Sequence, residues 1–293
     1  MTDRKTLLIV TAHPDDETFG CGGALAHYAS NGVKVYCACC TRGEAGVYEP
    51  ENMKGHATVG DMRWYEMECA ARTLSLAGIF HLGYRDSGMS GSEDNKNPQA
   101  LINAPLEQVE GSIVKVIRDL KPQVIITSDP IGGYGHPDHI AVHKATVKAF
   151  DAAGDSRQYP EAGSPFSPQK LYYNVFPRRI LKITVTLMPL FGQDPRHLGK
   201  NKDIDLASVA NVEFPTHAFV KLSRHDRDIR DKATDCYASQ LDNRPRRRSL
   251  LDFLQRLSKE DVDLFMRAYP PVAGKLREED LFEGTDPLSG TSE

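Results

Sequence analysis

This chain lacks any apolar run long enough to span a bilayer, which removes transmembrane helices from its architecture. It also lacks a strong charge of either sign: 36 lysines and arginines against 40 aspartates and glutamates leave a net charge of -4. Such a balance gives no support to binding of nucleic acid or of an anionic membrane. No signal-peptide pattern precedes the first apolar run, because Met1-Thr2-Asp3-Arg4-Lys5 leads straight into it. Export is not expected, and the cytoplasm is the default compartment. A disulfide framework is missing from the expectation too. Cys37, Cys39 and Cys40 crowd one apolar strand, where alternation sends Cys37 and Cys40 to opposite faces, and no second pair follows at zinc-ribbon spacing. They read as small buried hydrophobes, and Cys21, Cys69 and Cys236 as isolated thiols without a role.

What is present is enough chain for a sizeable core. At 293 residues the polypeptide can bury roughly three-quarters of its unfolded surface, so neither a disulfide nor a structural metal is required for folding. The first half alternates strand and helix patterns, with strands near 6–12, 33–41, 79–82 and 123–128 and helices near 18–31, 60–77, 104–120 and 137–151. That alternation predicts an α/β fold, Rossmann-like, with a mostly parallel sheet and helices on both faces. Further strands are expected near 171–176 and 217–222, and a charged helix near 223–240. Residues 178–212 show no sustained period, Arg244 to Arg248 form a basic cluster, and a polar tail begins near Glu283.

Chemistry concentrates in two turns. The run Thr6-Leu7-Leu8-Ile9-Val10 ends in Ala12-His13-Pro14-Asp15-Asp16-Glu17, and the run Val124-Ile125-Ile126-Thr127 is followed by Gly135-His136-Pro137-Asp138-His139. Carboxyl ends of strands in an open α/β sheet face the ligand crevice, so both turns place nitrogen and oxygen donors where chemistry is done. Either turn alone fits a structural histidine beside a helix-capping aspartate. Two such turns at two strand ends read instead as the halves of one metal site. His13 and Asp16 leave the same turn, and His139 or His136 would supply a third ligand. Two imidazoles and a carboxylate suit zinc or ferrous iron, which brings the pKa of its water from about 15.7 towards 7. Asp15 and Glu17 remain as acids, one of which would move the proton of that water.

A nicotinamide site is the rival, because Gly20-Cys21-Gly22-Gly23 also follows the first strand. The dinucleotide fingerprint requires glycine or alanine where Leu25 stands, and the second strand ends in Thr41-Arg42 rather than in an acid for the ribose. These glycines are read as room for a helix close to the sheet or to a ligand.

The chain resembles the LmbE-like or PIG-L family of metal-dependent de-N-acetylases, which includes deacetylases and amidases of mycothiol and bacillithiol metabolism. The resemblance rests on Ala12 to Glu17, on Thr41-Arg42-Gly43-Glu44, on Gly83-Tyr84-Arg85-Asp86-Ser87-Gly88-Met89 and on Gly133 to His139, with a looser match at Ala238-Ser239-Gln240. It implies a Rossmann-like fold around one divalent ion, Zn2+ with Fe2+ as the variant. His13, Asp16 and His139 would be its ligands and Asp15 the general base, later the acid for the leaving amine. His136 would stabilise the oxyanion, with Asp138 fixing its protonation, and Tyr134 would swing in to polarise the carbonyl. Arg63 and Asp86 would contact the sugar or its aglycone.

On this reading residues 1–176 form a Rossmann-like metal-hydrolase core, and 177–293 a C-terminal elaboration of the same domain. The expected reaction removes an N-acyl group, foremost N-acetyl, from a small-molecule amino-sugar conjugate. A thiol-conjugate amidase and a non-catalytic sugar- or metal-binding module are the alternatives. Substrate choice is expected in loops near Phe19, Val47 to Gly60 and Ser87 to Asn97, and in the C-terminal region. Neither nucleic acid nor membrane is an expected partner, and a homo-oligomer is left open.

Overall fold

The computed structural model describes residues 5–46, 48, 53, 55–175, 178–198, 205–241 and 262–287. Parts of the loop Val47–Gly60, the basic cluster Arg244–Arg248 and the end of the polar tail lie outside the described residues. Seven strands form one sheet: β1 (Thr6–Thr11), β2 (Lys34–Cys39), β3 (Gly78–His81), β4 (Val124–Ser128), β5 (Lys170–Asn174), β6 (Ala218–Lys221) and β7 (Val262–Tyr269). Their spatial order is β3-β2-β1-β4-β5-β7-β6. The first five pair in parallel, while β7 runs antiparallel to both β5 and β6.

The α/β expectation therefore holds, and its physical reason is visible in β1. All six residues of that strand are buried, because a sheet covered on both faces needs apolar side chains on both. Leu7 and Ile9 enter one core together with α1 (Asp16–Ser30), α2 (Val59–Thr73) and α8 (Arg224–Cys236). Leu8 and Val10 enter the other, against α3 (Leu106–Leu120) and α5 (Pro137–Ala152). Cys37 and Cys40 divide between the two cores, as strand alternation requires. The glycine run marks close approach: a Cβ on Gly23 would come within 2.4 Å of Leu222 Cδ1, which would have to move aside.

Three expectations give way. Strand β7 was not foreseen; Val262-Asp263-Leu264-Phe265-Met266-Arg267 lacks clean alternation, and it is recruited by pairing with β5 and β6. The unperiodic segment holds α6 (Arg178–Leu187) and the single turn α7 (Leu206–Val209), the latter packed against the short turn α4 (Gly132–Gly135). Finally, Cys69 and Cys236 are not isolated but disulfide-bonded across a separation of 167 residues. Helices α2 and α8 lie side by side on one face, and only that packing brings the sulfurs together. Closing so long a loop constrains the unfolded chain, so Cys236→Ser is expected to lower unfolding free energy by about 2–4 kcal/mol. Urea melts under oxidising conditions measure this, and an unchanged midpoint would show that the bond does not form in solution. Among the described residues, no helix is long and apolar enough to cross a membrane.

Candidate metal centre

Strand order reverses at β1, whose neighbours are β2 on one side and β4 on the other. Crevices outside the carboxyl ends of strands at such a switch point are where open α/β sheets bind ligands. The turn after β1 delivers His13, Asp15 and Asp16, and the turn after β4 delivers Tyr134, His136, Asp138 and His139. Both expected halves thus meet. A cavity of about 200 Å3 opens there, lined by Asp15, Asp16, Phe19, Tyr134, His139 and Asn174 among others.

The rings of His13 and His139 and the Asp16 carboxylate come together beside it. His13 Nδ1 and His139 Nε2 are 3.2 Å apart, Asp16 Oδ1 is 3.3 Å from His139 Nε2, and Asp16 Oδ2 is 3.7 Å from His13 Nδ1. Tetrahedral zinc with nitrogen and oxygen ligands at about 2.0–2.1 Å spaces its donors about 3.3 Å apart. His13, His139 and one oxygen of Asp16 could therefore hold one small divalent ion. Asp16 is held for the purpose, since its Oδ2 accepts the backbone N–H groups of His13 (2.8 Å) and Ala12 (3.2 Å). Burial alone would raise the Asp16 pKa, but His139 and His13 outweigh it and keep the carboxyl ionised.

The opposite nitrogen of His13 is engaged by carboxylates, which leaves Nδ1 as the side that could face an ion. Its Nε2 lies 3.1 Å from Asp138 Oδ2 and 3.3 Å from Asp86 Oδ1. A proton on Nε2 satisfies these carboxylates and leaves the Nδ1 lone pair free, the carboxylate–histidine arrangement common behind metal ligands. Burial works against protonating His13, yet Asp86 and Asp138 prevail and raise its pKa when no cation competes. Two other sets of donors are also compact, His13 with His136 and His139, and His13 with Asp86 and Asp138. The first is disfavoured because His136 Nδ1 already accepts the Asp138 backbone N–H at 3.2 Å. The second would require the Nε2 proton to leave both carboxylates.

Asp138 reaches His136 through its backbone, and the expected place of Glu17 is corrected. The Asp138 carboxylate, fully buried, serves His13 and the Ser87 amide (2.9 Å), whereas its backbone N–H serves His136. That amide fixes the His136 tautomer with its proton on Nε2. Burial, reinforced by His13 and His139, pushes the His136 pKa down to about 2, so the ring stays a neutral donor. Glu17 is not beside the water site. It turns into the core, where Oε1 accepts from Tyr237 Oη (2.5 Å) and Thr18 Oγ1 (2.6 Å) and Oε2 from the Asp15 backbone N–H (3.2 Å).

Asp15 and Asp16 both line the cavity, and with Asp16 engaged by the two histidines Asp15 is the acid left for proton transfer. Burial, only partly offset by Arg63, pushes its pKa up to about 7. Arg63 Nη2 donates to Asp15 Oδ2 at 3.0 Å and to the Pro14 carbonyl at 2.8 Å, and Nη1 donates to the Gly43 carbonyl. Asp86 accepts from the Gly88 amide at 2.8 Å as well as facing His13. Both residues expected to contact substrate are buried and bonded to site residues. Tyr134 sits among glycines with positive φ (Gly132, Gly133, Gly135), its ring 5.4 Å from that of His139. Burial raises its pKa, with Asp16 and Asp15 adding to the effect, so it remains a phenol donor.

Sequence reasoning missed Glu44 as a support, although its motif was noticed; its carboxylate accepts the Asp86 and Arg42 backbone N–H groups. Tyr237 carried no sequence signal at all. The loosely matched Ala238-Ser239-Gln240 docks onto α2, where Ser239 gives both its N–H and its hydroxyl to Glu66, one turn from Arg63.

Residues 8–150 match the family model described as PIG-L, GlcNAc-PI de-N-acetylase. A 1D-myo-inositol 2-acetamido-2-deoxy-alpha-D-glucopyranoside deacetylase from Rhodococcus erythropolis is 39% identical over 236 residues, covering 75% of this chain and 80% of the relative. The deacetylase of the same description from Geodermatophilus obscurus is 36% identical over 250 residues, covering 82% and 84%. Among solved structures, the N,N'-diacetylchitobiose deacetylase from Pyrococcus horikoshii has the same fold, with a TM-score of 0.62 at 18% identity over 90% of this chain and 84% of that one.

Proposed function

From the premise that this chain belongs to the PIG-L family of de-N-acetylases, we propose that it hydrolyses the N-acetyl amide of a glucosamine–cyclitol conjugate to a free amine and acetate. It is a deacetylase acting on an amino-sugar conjugate; the cyclitol aglycone and the residue roles are our reading. The observation that carries it is the convergence of His13, Asp16 and His139 beside Asp15. Zinc is the ion we assign, with ferrous iron as the variant, because two imidazoles and one carboxylate suit either. Such an ion supplies a Lewis acid and a water acidic enough to react at neutral pH.

Everything else is work for the chain's own residues. Asp15, held by Arg63, takes the proton of the attacking water and hands it to the departing amine, which is too poor a leaving group to depart unprotonated. His136 donates its Nε2–H to the oxygen on which negative charge develops, and Tyr134 donates its hydroxyl to the same region. Asp86 and Asp138 keep the His13 ring oriented. No serine or cysteine nucleophile is needed.

His136→Ala is expected to reduce kcat by about 10²–10³-fold, the typical loss for one oxyanion donor, while one ion per chain is retained. Steady-state kinetics with metal analysis test this; loss of the ion would instead make His136 a ligand. The reading as a whole is tested by acetate release from N-acetylglucosaminyl conjugates, inositol among the aglycones, with zinc, with iron and with chelator. Metal-dependent release from the inositol conjugate supports it. Turnover of thiol conjugates alone would overturn the deacetylation in favour of an amidase.

A further inference from the structure

Asp15 has φ +110°, a left-handed value that a residue with a Cβ rarely adopts. Such a conformation is strained and persists only where the surroundings hold it. Arg63 holds the side chain from the α2 side. The backbone is held from elsewhere. The Asp15 N–H donates to Glu17 Oε2 at 3.2 Å, and its carbonyl accepts the N–H groups of Thr18 and Phe19 at 3.0 and 2.9 Å.

Glu17 is an unusual partner for this task, being a carboxylate 1% exposed in the core between α1 and the sheet. It is tolerable there because it is met by three donors: Asp15 N–H, Thr18 Oγ1 and Tyr237 Oη. Two of them belong to its own turn. The third arrives from 220 residues away, at the end of α8, on a tyrosine with no exposed surface. Tyr237 is itself well fixed, following Cys236 of the disulfide to α2 and lying 5.7 Å from the Phe19 ring.

We propose that Glu17 and Tyr237 form a positioning relay, in which the Tyr237 hydroxyl orients the Glu17 carboxylate and that carboxylate holds the Asp15 backbone in its left-handed conformation. Neither group touches substrate; both act through Asp15. The proposal rests on the assignment of Asp15 as general base. Without the hydroxyl, the buried Glu17 oxygen loses its long-range donor and rotates towards another, which releases the Asp15 N–H. The Asp15 carboxyl then leaves its productive position, while the Asp16 contacts with His13 and Ala12 are retained.

The test compares Tyr237→Phe, Glu17→Gln and Glu17→Ala with the parent protein. In Tyr237→Phe, kcat is expected to fall about 10–100-fold, the scale of a displacement near 1 Å in a reacting group, with KM and metal content unchanged. Glu17→Gln should retain more activity than Glu17→Ala, because its carbonyl still accepts from Asp15 while its amide donates to the phenol oxygen. Hydrogen exchange over residues 12–19 reads the relay without turnover, and the Asp15 amide should exchange faster in Tyr237→Phe and Glu17→Ala. Parental kcat and exchange in folded Tyr237→Phe would overturn the proposal, as would a loss that follows only the unfolded fraction. If the parent protein turns over no amino-sugar conjugate, the functional reading is at fault; the exchange rates still decide the relay.

Discussion

Asp15→Asn is expected to reduce turnover by up to about 10⁴-fold while leaving the metal in place. The substitution keeps shape and an oxygen to accept from Arg63 Nη2, the contact that is 3.0 Å in this structure. It removes the one property the reaction needs, a site that takes a proton and returns it. General acid–base groups contribute about 10²–10⁴-fold, and because Asp15 is assigned both halves of the transfer, a loss near the upper end is expected. Its pH dependence follows in sign. Asp15 must be ionised to act, so kcat/KM falls as pH drops through its pKa, which burial pushes up to about 7 and Arg63 draws down. A divalent cation alongside draws it down further and moves the acid limb to lower pH. The variant should show low activity without that limb. Activity within tenfold of the parent, at full metal occupancy, would remove Asp15 from the mechanism.

His139→Ala is expected to strip the ion and with it all measurable turnover. Of the three convergent donors, His139 Nε2 is the one within about 3.3 Å of both others. Removing it leaves His13 and Asp16, two donors on one turn, against which free chelator competes easily. Metal analysis after dialysis is the measurement, read beside His136→Ala. Loss in His139→Ala with retention in His136→Ala supports the trio of His13, Asp16 and His139. Retention in His139→Ala would falsify it and shift attention to His13, Asp86 and Asp138, whose donors also lie within 4.8 Å of one another.

Much of the site was legible before any coordinates, for a local reason. His13, Asp15 and Asp16 are three neighbours on one turn, and Tyr134 to His139 are neighbours on another. Each turn lies beyond the end of an apolar strand that is buried on both faces, the first directly and the second a few residues on. A strand end has a known place in an α/β sheet, so the meeting of the two turns followed from the order of residues alone. The same holds for the glycines of α1, where a missing side chain implies close approach whatever the neighbour proves to be.

Contacts between elements distant in the chain were a different matter. Nothing near Asp138 in sequence says that its carboxylate belongs to His13 and its amide to His136. Nothing near Arg63 in sequence says that it meets Asp15. Glu17, next to Asp16, faces the core because α1 begins at that point and its first turn rotates successive residues by about 100°. Cys69 finds Cys236, and β7 finds its place between β5 and β6, only once helices and strands have packed. Residue order along a strand end sets which chemical groups are available and roughly where they point. Which group each one bonds depends on ångström-scale placement of side chains from remote segments, and that placement exists only in the packed fold.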